Sequence, residues 1–431
     1  MKPTFVISSP FDTYSGYGAR SRDVIKSIIK TNKYNVKLIS QRWGDTPFGF
    51  CNDNPKFKDL LDLVIPMPLS QQPDIWAQIT VPNEFQKVGK YNIGFTAGME
   101  TTLVDGTWVE GMNRMDLNIV SSEHSKKSFL NSVYEKQDNH RNNIGQVKIE
   151  KPIEVLFEGA DLDTYFHDKK PCTIDLKIKE SFAYLSVGHW MQGDMGEDRK
   201  NIGLLIKAFY ETFKNKKNQP ALVLKTSQSG ASYLDRDSIL EKIKAIKKSV
   251  NSQNLPNIYL LHGEFTDEEM NSIYNHSKIK AMISLTKGEG FGRPLLEFSL
   301  SKKPIIVSGW SGHLDFLNPK FNVMVGGKLT NVHPSAVVKN MILPEAEWFS
   351  PSHGEIHLSL KNVFENYKEY VDGGKRQAYH TKNNFSLEKM YQKLDTILTN
   401  NIPEFPKQVE LKLPKLNLPT LNMSKLEKNE R

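Results

Sequence analysis

The 431-residue chain is poor in cysteine, with only Cys51 and Cys172. Two thiols exclude a disulfide scaffold and a four-cysteine zinc site, and they fit a reducing compartment. No apolar run reaches the roughly 18 residues that a membrane-spanning helix needs. The opening MKPTFVISSPFD has a brief apolar stretch but no long h-region. The expectation is a soluble, cytoplasmic protein without a secretory signal. Walker-type and Gly-x-Ser-x-Gly signatures are missing, and His124, His140 and His189 lack the spacing of zinc ligands.

What is present is material for real cores: 38% of residues are hydrophobic and 10% aromatic, which excludes a wholly disordered chain. The length suggests two or three domains. Lys and Arg total 57 against 49 Asp and Glu, a formal net charge of +8. Residues 1–170 carry 21 of each sign, so the whole excess lies in 171–431. A basic balance attracts phosphates, nucleic acid or an anionic membrane, and it is equally the mark of a lysine-rich solvated surface.

Apolar periodicity alternates between strand and helix along the chain. FAYLSV, PALVLKT, NIYLLHG, IKAMISL and KPIIVSG read as short buried strands. Between them, Ile202, Leu205, Ile206, Phe209 and Phe213 recur at helical spacing, 235–249 is a lysine-rich helix, and TDEEMNSIYNHS opens with a Thr cap and an acidic first turn. The first half repeats the rhythm, with PTFVISS, VKLIS, IWAQITV, YNIGFTA, LNIVSS and IEVLF as strands. Helices follow in RSRDVIKSIIKT and SEHSKKSFLNSVY. Strands alternating with helices imply parallel sheets covered on both faces. Two Rossmann-like domains, meeting near 165–180, would place a site in the cleft between them, beyond the carboxyl ends of the strands. FSLEKMYQKLDTIL reads as a terminal helix. Residues 401–431 read either as an extended Pro/Lys/Leu tail that docks on an edge or a partner, or as a loose basic tail.

KGEGFGRPLLEF, residues 287–298, carries the strongest chemical signal. It follows a strand and opens a helix, and Glu289 and Glu297 flank a Gly-Phe-Gly turn. Glycines admit close backbone approach, and carboxylates accept hydrogen bonds from the many hydroxyls of a sugar. A tight turn with a solvated glutamate is the alternative, and it accounts for one such residue better than for a pair at this spacing.

This segment resembles the nucleotide-sugar site of retaining glycosyltransferases of the GT-B fold, especially the large family four, whose E-x7-E element encloses a Gly-Phe-Gly turn. The resemblance extends over most of the chain. SPFDTYSGYGARSRDVIKSI (9–28) looks like the family's glycine-bearing first loop, and ETTLVDGTWVEGMNRMDLNIVSSEHSKKSF (100–129) like its Ser-Ser-Glu turn. FEGADLDTYF (157–166) looks like the domain-closing segment, and SVGHW…RKNIGLLIKAF like the phosphate loop. The wording of IGFTAGMETT is most similar to enzymes encoded by tailed phages.

The resemblance implies an α/β protein of two Rossmann-like domains facing across a cleft. Residues 1–170 would be the acceptor side, 171–384 the nucleotide-sugar side, 385–400 a terminal helix crossing back, and 401–431 the tail, through which the chain could oligomerise. It implies a transferase moving a hexose or pentose from a nucleotide-diphosphate sugar, UDP-linked, with no metal or other cofactor. The acceptor would be a glycan or lipid-linked sugar. Hydroxymethylated cytosine in phage DNA is the alternative, with phosphate contacts from Arg20 and Arg22 or Lys126 and Lys127. A non-catalytic nucleotide- or glycan-binding protein on the same fold is a further one.

By that resemblance Glu289 holds the sugar's hydroxyls beside the amides of Gly290, Phe291 and Gly292. Glu297 binds the ribose, Lys200 meets the diphosphate, and Gly16 and Gly18 let the first loop close over the phosphates. The chain departs from the family twice. His189 stands where the family has arginine, with the longer loop MQGDMGED before Arg199, which can supply the guanidinium; Lys225 is another candidate cation or a solvated strand end. Met99-Glu100 replaces a His-Asp pair, so Glu100 either polarises the acceptor hydroxyl or caps the next segment. His262 and His313, at strand ends, could touch base or phosphate or serve as ordinary loop residues. Asp161-Leu162-Asp163 imitates a metal-binding DxD but falls in the domain-closing segment.

Overall fold

A computed structural model describes residues 2–137, 140, 142–168, 174–228 and 230–405. Cys172 and most of the tail, 406–431, lie outside the described residues.

The first sheet contains β1 (Thr4–Ser9), β2 (Asn35–Ser40), β3 (Ile75–Ile79), β4 (Tyr91–Phe95) and β5 (Leu117–Val120). A short antiparallel hairpin, β6 (Tyr134–Gln137) and β7 (Asn143–Val147), then leads to its last strand, β8 (Ile153–Val155). Their order is β2-β1-β3-β4-β5-β8, and every neighbouring pair is parallel. The second sheet contains β9 (Ala183–Val187), β10 (Ala221–Lys225), β11 (Ile258–Leu261), β12 (Ile279–Ser284), β13 (Ile305–Ser308) and β14 (Val323–Val325), ordered β11-β10-β9-β12-β13-β14 and again wholly parallel. All carboxyl ends in a sheet therefore share one edge, and the loops leaving that edge carry the conspicuous residues.

Burial on both faces explains the continuous apolar strands. In β10, Leu222 and Leu224 join the core under the helices Ile202–Phe213, Tyr233–Ser249 and His353–Glu365, while Ala221 and Val223 pack on the other side with Ile273, Leu296 and Phe298. The helix Asp267–Asn275 starts with the expected cap: the Thr266 hydroxyl accepts from Glu269 N–H, and the Glu269 carboxylate accepts from Thr266 N–H. The helix Leu387–Asn401 packs on Gly16–Thr31, with Lys30 paired to Glu388 and Lys33 2.6 Å from Asp395. No described helix is long and apolar enough to cross a membrane.

An element that the strand–helix rhythm does not announce is the antiparallel hairpin of β15 (Gly327–Asn331) and β16 (Glu347–Pro351). Val332, Leu343 and Trp348 give it a small core of its own, against which Leu103 and Trp310 pack. Glu347 exchanges two 2.9 Å hydrogen bonds with Thr102, in a loop of the first sheet, and Phe349 N–H donates to Lys287 C=O.

Candidate functional site

The strand order of the second sheet reverses between β9 and β12, which are adjacent in space but far apart in sequence. A crevice forms where strand order reverses in such a sheet. The loop after β9 brings His189, Arg199 and Lys200 to it, and the loop after β12 brings Glu289. Asp198 accepts from Ile202 N–H at 3.1 Å, starting the helix that holds Arg199 and Lys200 in place. Gly292, at φ 98°, turns the chain sharply into the helix Arg293–Ser299.

Here the structure assembles a four-charge cluster. The Lys200 ammonium donates to Glu289. Arg199 Nη1 lies 3.7 Å from the other Glu289 oxygen and 3.2 Å from Glu100, which arrives from the loop after β4. Burial pushes the Glu289 carboxyl up, but Lys200 and Arg199 outweigh it and hold the group below the usual carboxylate range. Burial lowers the Lys200 ammonium against the pull of Glu289. His189 Nδ1 is 3.0 Å from Ser227 Oγ. The ring keeps solvent access, yet the surrounding protein and then Lys200, Lys225 and Arg199 bring its pKa to about 4, so it is neutral near pH 7. Lys225 lies at the end of β10 with its ammonium 5.4 Å from the Phe265 ring.

Glu297 belongs to a different cluster. Arg293 Nε donates to it at 3.0 Å, and the Tyr274 hydroxyl lies 3.4 Å from its other oxygen. The same guanidinium reaches Asp23 at 2.6 Å on the Gly16–Thr31 helix and approaches Glu158 at 3.7 Å. Burial raises the Glu297 carboxyl to about 7 despite Arg293. The two glutamates are thus separated by their partners, a division that their shared motif does not reveal. Arg293, Asp23 and Glu158 have no distinctive sequence spacing, since two of the three come from other elements.

The turn glycines are filled by protein. A Cβ on Gly288 would lie 1.8 Å from Glu100 C=O, and one on Gly290 would lie 2.5 Å from Ala97 C=O. The hydroxyls of Ser121 and Ser125 donate to Gly290 C=O at 3.2 and 3.4 Å. Loops of the first sheet therefore press directly on the Glu289 turn. Phe291 directs its ring into the core, 4.9 Å from Phe316.

Several expectations need correction. Gly16 and Gly18 occupy the first turn of a helix, not a closing loop, and Ser15 Oγ caps that turn by accepting from Gly18 N–H at 2.9 Å. Gly18 is demanded by packing, because a Cβ there would meet Thr13 C=O at 2.4 Å. His262 Nε2 is 2.8 Å from Asp235 and is tied to the Tyr233–Ser249 helix. His313 is fully buried; its Nε2 donates to Ser308 C=O at 2.7 Å, and its neighbour Ser311 accepts from Glu289 N–H at 2.9 Å. It supports the turn from below. Arg20 and Arg22 are buried and spend their guanidinium groups on the backbone carbonyls of Leu156, Phe157, Phe11 and Thr13, so neither is a surface contact for DNA phosphates. Asp161 accepts from Lys56, Asp163 N–H and Thr164, a local turn. Among the described residues no group of three or more His, Cys, Asp or Glu is placed to hold a metal ion.

No protein-family model and no curated protein matches the chain. Solved structures do match. A glycosyltransferase from Rickettsia africae superposes with a TM-score of 0.59 at 15% identity, covering 93% of this chain and 99% of that one. Anabaena HepE in complex with UDP-glucose gives 0.59 at 12%, covering 92% and 100%. Sucrose-phosphate synthase from Thermosynechococcus elongatus gives 0.60 at 13%, covering 93% and 99%. Identities this low establish architecture, and with the two parallel sheets they show that the chain has the GT-B fold, two Rossmann-like domains facing across a cleft.

Proposed function

We propose that the protein is a retaining, metal-independent glycosyltransferase that moves a sugar from a UDP-linked donor to a hydroxyl of a glycan or lipid-linked sugar. The observation carrying this reading is the convergence of Arg199, Lys200, Glu289 and Glu100 from loops of both sheets upon the reversal point of the second. HepE, of the same fold, was solved with UDP-glucose bound, which supports the choice of donor.

In this reading residues 1–170 form the acceptor side and 171–384 the donor side. Lys200 is the principal ligand of the diphosphate, with Arg199, Lys225 and neutral His189 on the same wall. Glu289 accepts from the sugar's hydroxyls beside the amides of Gly290, Phe291 and Gly292, and Glu297 accepts from the ribose. Lys200 and Glu289 satisfy each other in the structure. Donor binding exchanges that pair for two better-matched partners, phosphate for the ammonium and hydroxyls for the carboxylate. During transfer the bond from the anomeric carbon to the diphosphate oxygen breaks, and the acceptor oxygen bonds to the same carbon from the same face. The acceptor proton passes to the departing phosphate oxygen. Charge accumulates on that phosphate in the transition state, where fixed cations contribute most. Glu100, held by Arg199, orients the incoming hydroxyl.

The test is incubation with UDP-glucose and related UDP-sugars. Release of UDP, with the α configuration kept in the transferred or hydrolysed sugar by NMR, is the expected result. Tight UDP binding without turnover on any donor or acceptor would leave a binding protein on the same fold.

A further inference from the structure

We propose that Trp43, stacked on Tyr17, is the platform on which a sugar ring of the acceptor lies. This rests on the glycosyltransferase reading and names the acceptor class, a neutral glycan.

The two rings lie nearly parallel, 22° apart, with centroids 4.0 Å apart. Trp43 follows β2 and Tyr17 follows β1, so both stand on the carboxyl edge of the first sheet, the edge that also supplies Glu100 after β4. Tyr17 is anchored toward the site: its hydroxyl is 3.0 Å from Thr96 Oγ1 and accepts from Ala97 N–H at 3.1 Å. The Ala97 carbonyl faces Gly290. A continuous path of contacts therefore runs from the indole through Tyr17 to the Glu289 turn.

The pair is only half-buried, although two stacked aromatic rings have every reason to be covered. Gly16 beside them is exposed, and a Cβ there would meet nothing within 4 Å. Its φ is outside the left-handed region, so neither packing nor backbone geometry demands glycine. Open space therefore lies at Gly16, the residue before Tyr17, and the Tyr17–Trp43 pair keeps part of its own surface toward solvent. The apolar C–H face of a pyranose fits such a surface, and its rim hydroxyls need donors and acceptors. Arg42 and Asp45, both exposed on the Trp43 loop, offer one of each.

A nucleobase also stacks on indole, but a base carried by a duplex brings several phosphates that must be neutralised. The two arginines of the neighbouring helix, Arg20 and Arg22, are buried and committed to backbone carbonyls. The Trp43 loop, residues 41–49, then offers one cation, Arg42, with Asp45 beside it, where a duplex needs several.

The experiment applies the full chain with UDP present to a glycan microarray, comparing wild type with Trp43→Ala, Trp43→Leu and Trp43→Phe. Phe48→Ala, an exposed aromatic on the same loop, is the control. UDP titration reports whether each variant is folded. The expected result is retention on a subset of glycans, lost at least tenfold in the Ala and Leu variants, largely kept with Phe, and unchanged in the control. Equal retention by Trp43→Ala and wild type overturns the proposal, as does retention on no glycan. Sugar transfer to hydroxymethylcytosine duplex that depends on Trp43 overturns the acceptor class. Failure of wild type to bind any UDP-sugar strikes the glycosyltransferase reading itself and is read before the array.

Discussion

Arg293 joins the two halves of the molecule: its Nη1 lies 2.6 Å from Asp23 Oδ2 on the first helix, while its Nε holds Glu297 four residues along its own helix. Glu158 completes the group at 3.7 Å. One guanidinium thus serves three carboxylates that burial would otherwise make costly. Arginine suits the position because its planar fork presents several donors at fixed angles.

Replacing Arg293 with Met should therefore be among the most destabilising single changes in the chain. Breaking a buried ion pair from one side costs about 3–5 kcal/mol, because the remaining charge is left uncompensated. The lower end applies here, since the side chain keeps 22% of its exposure. Urea unfolding measures the loss. Replacing exposed Arg236, whose ion pair is with neighbouring Asp237, should change stability far less. Equal effects would show that the Arg293 cluster contributes no more than a surface pair.

The raised Glu297 carboxyl links stability to pH. Its folded pKa is about 7 against an ordinary 4.5, so between those values the folded state binds the extra proton. The stabilisation is complete below about 4.5 and is lost as pH rises through 7, with a slope of at most about 1.4 kcal/mol per unit. Glu297→Gln should flatten this part of the stability–pH curve. Denaturant midpoints at several pH values between 4.5 and 7.5 check it, and an unchanged slope in the variant refutes the assignment.

The nucleotide site should divide between the two glutamates. Glu297→Ala removes the proposed ribose partner and should weaken UDP itself above pH 7, where the carboxylate is ionised, by on the order of 1.5–3 kcal/mol for a charged hydrogen bond. Glu289→Ala releases Lys200 from its competing ion pair, so UDP affinity should hold or tighten while turnover of the intact donor falls. Calorimetric titration with UDP and with UDP-glucose separates the two. An equal loss of UDP affinity in both variants contradicts this division.

The sequence revealed most of this where the chemistry is local. β12, the glycine turn and the helix behind it are contiguous, and the Thr266–Glu269 capping box lies within four residues. Long-range partners were illegible. Arg20 and Arg22 read as exposed cations because the carbonyls that absorb them lie elsewhere, for Arg20 more than a hundred residues away. Gly16 and Gly18 read as a flexible loop because glycine at a helix start looks the same as glycine in a turn. The β15–β16 hairpin is illegible because its strands are separated by an irregular loop, and its apolar residues Trp348 and Phe349 are adjacent and so show no strand alternation.

Close approach at the turn gives a steric prediction. A methyl at Gly288 would overlap Glu100 C=O at 1.8 Å, and backbone cannot yield as a flexible side-chain end can. Gly288→Ala should hold the two sheets apart and lower transfer at least tenfold, since small displacements of reacting groups are costly. UDP affinity should change little, because the proposed UDP-binding residues all lie on the second sheet's side. Wild-type transfer by Gly288→Ala would show that the contact with Glu100 is not needed for chemistry.

The two cations of the phosphate loop should differ in kind. Among the described residues Lys200 is ion-paired with Glu289 alone, so its ammonium is the one freed by donor binding, and Lys200→Ala should lower turnover by removing the cation that faces the departing diphosphate. Arg199 is shared between Glu289 and Glu100, and its loss leaves Glu100 without its cation. Arg199→Ala should therefore act mainly on the acceptor, raising its KM more than it lowers kcat, and Lys200→Ala should do the reverse. Steady-state kinetics at saturating donor and varied acceptor resolve the two cases. If Arg199→Ala proves the greater loss in kcat, the guanidinium is the principal diphosphate ligand and Lys200 chiefly keeps Glu289 ionised.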